Sequence, residues 1–117
     1  MVLDLCVSML LNVRNQFERG EVDKQLLRRL YQTYRPVKQI DLFLKRAPNL
    51  FPRLNCGLAS VYLRHILRDG KIVNGYYGKN KHTFLLLDDN LVVDITADQY
   101  RGPKVYLGPL KAPWKIR

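Results

Sequence analysis

The fifteen residues His82-Thr83-Phe84-Leu85-Leu86-Leu87-Asp88-Asp89-Asn90-Leu91-Val92-Val93-Asp94-Ile95-Thr96 decide how the second half of this chain folds. Two runs of β-forming residues flank Asp88-Asp89-Asn90, whose short polar side chains bond their own backbone and favour a tight reversal. The pattern predicts an antiparallel hairpin with strands over Thr83 to Leu87 and Leu91 to Thr96. A reversal centred on Asp89 sets opposite each other residues whose numbers sum to about 178. His82 then falls opposite Thr96 and diagonal to Asp94, and all three share one face because strand side chains alternate with period two. A carboxylate inside the apolar run Leu91 to Ile95 is costly to bury alone. An imidazole on the neighbouring strand gives it a partner.

Outward from the hairpin, Ile72 to Tyr77 and Lys104 to Leu107 read as further short strands. Gly108 to Arg117, with Pro109 and Pro113, reads as an irregular tail. Upstream, Leu58, Ala59, Tyr62, Leu63, Ile66 and Leu67 keep helical spacing after Asn55-Cys56-Gly57, and Gly70 is placed to take the left-handed turn at the helix end. A shorter helix is predicted from Val37 to Arg46, closed by Pro48. Another runs through Val22, Leu26, Leu27, Leu30, Tyr31 and Tyr34 and stops at Arg35, since Pro36 disfavours the helical basin before it. The first helix carries the stripe Leu3, Cys6, Leu10, Val13 and Phe17 and ends before Gly20. The predicted class is therefore α+β, a helical N-terminal half packed on a small antiparallel sheet.

The 117 residues match the size of one domain, roughly 100–150 residues, so a single domain over 1–117 is expected. Within it, 1–49 would be the helical segment, 50–108 the core and 109–117 the tail. A hydrophobic content of 47% excludes a disordered chain. Twenty Lys and Arg against ten Asp and Glu leave a net charge of +10, which attracts anions without choosing among nucleic acid, acidic protein and lipid. No apolar run approaches the ~20 residues of a membrane span. Met1 to Cys6 carries Asp4 rather than a basic leader, so a cytoplasmic chain is expected. Cys6 and Cys56 lie far apart with no Cys-x-x-Cys, and His65 and His82 are not at ligand spacing; free thiols, no metal and no cofactor follow as expectations.

Cys56 is the residue on which chemistry can start. At a helix N-terminus the unpaired N–H groups and the positive end of the dipole favour thiolate over thiol, and the same N–H groups can hold an oxyanion. Against this stands the habit of lone cysteines to serve as small buried filler. His82, on a strand, is the residue type that serves as base beside a thiol, and Asp94 is placed to orient its ring. His65, nine positions beyond Cys56 on the same helix, is too far along to pair with the thiol and reads as structural.

The combination Asn55-Cys56-Gly57-Leu58-Ala59-Ser60, then Gly78 before His82-Thr83-Phe84-Leu85, then Val92-Val93-Asp94-Ile95-Thr96-Ala97-Asp98-Gln99-Tyr100, resembles the transglutaminase-like branch of the papain-like cysteine enzymes, particularly small bacterial and phage members. The likeness covers roughly Leu50 to Gly108. It implies a papain-like core in which Cys56 is nucleophile, His82 base and then acid, and Asp94 the orienting carboxylate. The extra domains and calcium sites of the large transglutaminases have no counterpart here. Nor is there an upstream Gln where papain supplies its oxyanion donor, which leaves Asn55 and Gln99 as candidates beside the Cys56 amide.

Such a triad performs acyl transfer on a protein or peptide amide. Water as acceptor makes a protease, amidase or deamidase; an amine makes a transglutaminase. The competing class is a binder of nucleic acid or an anionic surface, suggested by the charge and by aromatics near cations at Tyr76, Tyr77, Lys79, Lys81, Tyr100, Arg101, Lys104 and Tyr106. The basic residues are spread along the chain, which favours a solvated cationic surface over a binding stripe. A catalytically idle relative that acts as a binding partner is the third class.

Overall fold

The computed structural model describes residues 5–117; Leu3 of the first helical stripe and the Met1 to Asp4 part of the leader reading lie outside them. Four helices come first: α1 (Val7–Glu18), α2 (Lys24–Tyr34), α3 (Ile40–Leu50) and α4 (Cys56–Leu67). Five strands follow: β1 (Lys71–Tyr77), β2 (Asn80–Leu87), β3 (Leu91–Asp94), β4 (Tyr106–Pro109) and β5 (Trp114–Lys115). They form one antiparallel sheet in the order β4-β3-β2-β1-β5. The architecture is α+β, as the hydropathy pattern predicts.

Leu10, Val13 and Phe17 of α1, Leu27 of α2, Leu44 of α3 and Leu58 and Leu63 of α4 meet Leu85, Val93 and Ile95 in one buried cluster. The N-terminal helices and the sheet thus share a single core. Alternation along the strands turns Val73, Phe84 and Val92 to the other side, where they pack with Ala97 and Trp114. Both faces of the sheet are covered, which explains the continuous apolar runs in β2 and β3.

Local chemistry moves several boundaries. Cys6, expected on the buried stripe, is the exposed N-cap of α1. Asp23 caps α2 through the Gln25 N–H at 2.9 Å, so the helix starts after Val22, which is itself buried. Between α2 and α3 the Gln32 amide bonds both the N–H and the carbonyl of Val37, holding Val37 outside the helix that the sequence pattern starts there. Pro48 does not close α3. It sits inside the last turn, where it lacks only its own N–H bond back to Leu44, and the Phe51 N–H still bonds Ala47 O at 3.0 Å. The left-handed residue at the end of α4 is Arg68, with φ of 54°, ahead of Gly70 at 102°.

The hairpin register is the predicted one: Leu85 faces Val93, Leu86 faces Val92 and Leu87 faces Leu91. β3, however, ends at Asp94 rather than Thr96. Asp94 Oδ1 accepts from the Thr96 N–H at 2.8 Å, and Ala97–Tyr100 form a 3-10 turn. The tail is not irregular. β4 begins at Tyr106 rather than Lys104 and reaches Pro109, and Trp114–Lys115 return as β5 against Tyr76 and Tyr77. Gly75 permits that return, since a Cβ there would collide with the Lys115 carbonyl oxygen. The Trp114 ring stacks on Tyr106 at 3.8 Å between centroids.

Candidate active site

Cys56 is the first residue of α4, and its neighbours explain how it is presented. Leu54 adopts a φ of 63° while 65% exposed, a conformation that costs a branched side chain energy and turns the chain sharply into the helix. Asn55, 1% exposed, anchors the turn from below: its Nδ2 donates to Ala47 O at 3.0 Å and to Arg53 O at 2.8 Å. The donors of Asn55 are therefore used inside the protein, and the structure turns this candidate away from the thiol.

β2 continues to Asn80, while β3 stops at Asp94, so the β3 side of β2 is open at His82 and Thr83. Cys56 lines a cleft at this gap together with His82 and Thr83, and the His82 ring and the Thr83 N–H both favour its thiolate. His82 Nε2 is 2.7 Å from Asp94 Oδ2, and both side chains are buried. Nε2 being so engaged, Nδ1 is the nitrogen that faces Cys56. Asp94 is fully saturated: Oδ2 also accepts from Trp114 Nε1 at 2.8 Å, and Oδ1 accepts from the N–H and hydroxyl of Thr96. Four donors on one carboxylate fix its orientation.

Gln99, half-buried on the 3-10 turn, places Nε2 3.5 Å from His82 Nδ1. A protonated Nδ1 donates to the sulfur and cannot accept from Gln99, which leaves that amide N–H free for an oxygen bound at the thiol. The structure thus brings Cys56, His82, Asp94 and Gln99 together and leaves Asn55 as a support. His65 is exposed in the last turn of α4, away from this cluster. A cleft of about 460 Å³ opens over Cys56 and His82, bordered by Arg35, Asn74, Lys81 and Thr83.

Burial opposes the charge on His82, but the bond to Asp94 and the contact with Cys56 overcome it and lift the imidazole from 6.5 to about 9. Burial likewise opposes the Cys56 thiolate, and the bonds from His82 and the Thr83 N–H outweigh it, so the thiol is lowered. The two shifts together favour a thiolate–imidazolium pair. Among the described residues no group of three His, Cys, Asp or Glu side chains is arranged to hold a metal ion, and no helix is long and apolar enough to cross a membrane.

The sequence pattern missed Trp114, Thr83 and Arg14. Trp114 is the chain's one tryptophan, beside Pro113, and nothing local ties it to Asp94. Arg14 sits inside the apolar stripe of α1 and is 4% exposed. Its guanidinium grips Asp98 through two bonds of 2.7 Å and donates to Ile95 O and Lys104 O, clamping the segment that carries Asp94 and Gln99. A lone arginine among core positions was the available signal. Comparison with known protein families, with curated proteins and with solved structures returns no match for this chain.

Thiol reactivity checks the electrostatics directly. Iodoacetamide at pH 7 is expected to alkylate the partly buried Cys56 at least about tenfold faster than the exposed Cys6, and His82→Gln is expected to erase the difference. Peptide mapping by mass spectrometry gives both rates. Faster alkylation of Cys6 would contradict the ion pair.

Proposed function

We propose that this chain is a cysteine-dependent acyl-transfer enzyme with a core of the papain-like, transglutaminase-like kind. The observation that carries the reading is the connected chain from Cys56 through His82 to a saturated Asp94, set beside a cleft at a helix N-terminus. In this mechanism the Cys56 thiolate adds to the carbonyl carbon of an amide. The oxyanion is held by the Cys56 backbone N–H and the Gln99 amide. The His82 imidazolium gives its proton to the departing amine as the carbon–nitrogen bond breaks, which leaves a thioester and a neutral ring. Water or a second amine then loses a proton to His82 while attacking the thioester. Collapse then breaks the carbon–sulfur bond and expels the thiolate beside the imidazolium already formed, which restores the ion pair. Asp94 touches no reacting atom; it holds the ring with Nδ1 toward the sulfur and stabilises its charge.

The test is covalent trapping with glutamine-containing peptides in the presence of mixed primary amines. The expected result is a mass increase on the Cys56 peptide that hydroxylamine removes and that Cys56→Ala lacks. Absence of any such adduct across the panel, with Cys56 still alkylating rapidly, would refute acyl transfer. Turnover is also expected to decline on the alkaline side as pH rises through about 9, because His82 loses the proton the leaving amine needs. Alkylation, which needs only the thiolate, shows no such decline.

A further inference from the structure

A second and larger cavity, about 880 Å³, lies between α2, α4 and the start of β1. Arg29, Arg64, His65 and Arg68 rim it, over a floor of Leu30, Val61 and Ile72. All three arginines are exposed, and among the described residues none of them has an ion-pair partner. The one carboxylate at the rim, Asp69, accepts from the Gly70 N–H at 2.7 Å. Charge that looks scattered along the sequence is gathered here by the packing of α2 against α4.

This groove adjoins the cleft over Cys56. The wall between them is a hydrogen-bonded bridge in which the Tyr34 hydroxyl donates to Asn74 Oδ1 at 2.7 Å and the Thr83 hydroxyl donates to the same atom at 2.9 Å. Tyr34 lines the groove, and Asn74 and Thr83 line the cleft. β1 passes from one to the other between Ile72 and Gly75, roughly 10 Å at ~3.3 Å per residue. α2 covers the step from Arg29 to Tyr34 in roughly 7–8 Å at ~1.5 Å per residue, and the extended Arg35 follows. Arg35 and Lys81, also exposed, continue the positive charge to the mouth of the cleft.

We propose that the groove is the specificity subsite for an acidic peptide, whose carboxylates sit among Arg29, Arg64 and Arg68 while its reacting amide reaches Cys56. The proposal rests on the acyl-transfer reading. The two distances set the spacing: an extended chain covers roughly 10 Å in three residues, so the acidic side chains lie about three or four positions from the amide. The aliphatic floor suits the stems and apolar neighbours of such a segment. It offers nucleobases little to stack on: its two rings are Tyr34, whose hydroxyl is engaged by Asn74 and whose face the Arg35 guanidinium covers at 5.5 Å, and the imidazole of His65 on the rim.

The experiment is fluorescence anisotropy on Cys56→Ala protein, which binds without turnover. The probes are a labelled glutamine peptide with glutamates three and four residues from the glutamine, and a twin with those glutamates replaced by glutamine. The acidic peptide is expected to bind roughly tenfold more tightly at low salt, in line with two or three surface ion pairs. Arg64→Gln/Arg68→Gln is expected to abolish the discrimination and Arg64→Lys/Arg68→Lys to keep most of it, which separates lost charge from a disturbed fold. Equal binding of the twins, or discrimination that survives the double Gln variant, overturns the proposal. Tighter binding of a single-stranded oligonucleotide of matched charge overturns it in favour of nucleic acid. Charge-dependent binding without any thioester on the wild-type protein would count against acyl transfer, whereas thioester formation from both twins at equal rates would count against the groove.

Discussion

Asp94→Asn is expected to lower the proposed acyl transfer by about 10²–10⁴-fold, with Cys56 and His82 both still present. Asp94 offers acceptors to His82, Trp114 and two donors of Thr96. Asparagine has one acceptor oxygen, so its amide must face a group that now donates. If it faces His82, the ring is driven to the tautomer with a proton on Nδ1 and a lone pair on Nε2, which leaves no base toward the sulfur. If it faces Thr96, the backbone N–H there loses its acceptor. Either arrangement removes the full negative charge that raises His82. The raised value means that His82 contributes stability in full below its ordinary 6.5 and loses it as pH climbs through about 9. The lowered Cys56 works in the opposite sense: its contribution is complete above the ordinary 9.0 and disappears as pH falls through the lowered value. Thermal melts across pH should therefore lose their alkaline decline in Asp94→Asn. A variant with wild-type turnover and an unchanged melting profile would refute the role given to Asp94.

Arg14→Met is expected to cost about 2–4 kcal/mol of stability, because it leaves the partly buried Asp98 carboxylate and two carbonyls without their donor. Arg14 engages Asp98, Glu18, Ile95 O and Lys104 O and lies over the Phe51 ring at 5.1 Å. Lys at this position keeps the charge but cannot form the two-pronged contact with Asp98, so Arg14→Lys should recover only part of the loss. Urea titrations that compare midpoints at equal slope supply the number. Because the clamp holds the residues after Asp94, the Met variant should also slow Cys56 alkylation under conditions where it remains folded. A cost under about 1 kcal/mol would show that the clamp is a surface-like ion pair.

How much could be read in advance depended on the range of each interaction. The hairpin register, and with it the approach of His82 to Asp94, follows from a turn triplet and strand alternation, which act over a dozen residues. The start of α4 at Cys56 follows from helical spacing over one segment. Asn55 illustrates the opposite case, since its polarity suggested a donor at the thiol and only the position of Ala47 and Arg53 shows where its amide goes. Trp114 was unreadable for a related reason: a two-residue strand has no periodicity, and its place beside Asp94 depends on Gly75 admitting a backbone from the far end of the chain.

The sequence by itself determined the α+β class, the hairpin and the order of thiol, imidazole and carboxylate, because these rest on local propensity and on the period of apolar residues. Tertiary structure alone decided that Arg14 and Trp114 brace the carboxylate segment, that Gln99 rather than Asn55 reaches the ring, and that scattered arginines line one groove. Those outcomes depend on which surfaces meet when α1, α2, α4 and the C-terminal strand pack, and no spacing along the chain encodes a distance between segments that are far apart in it.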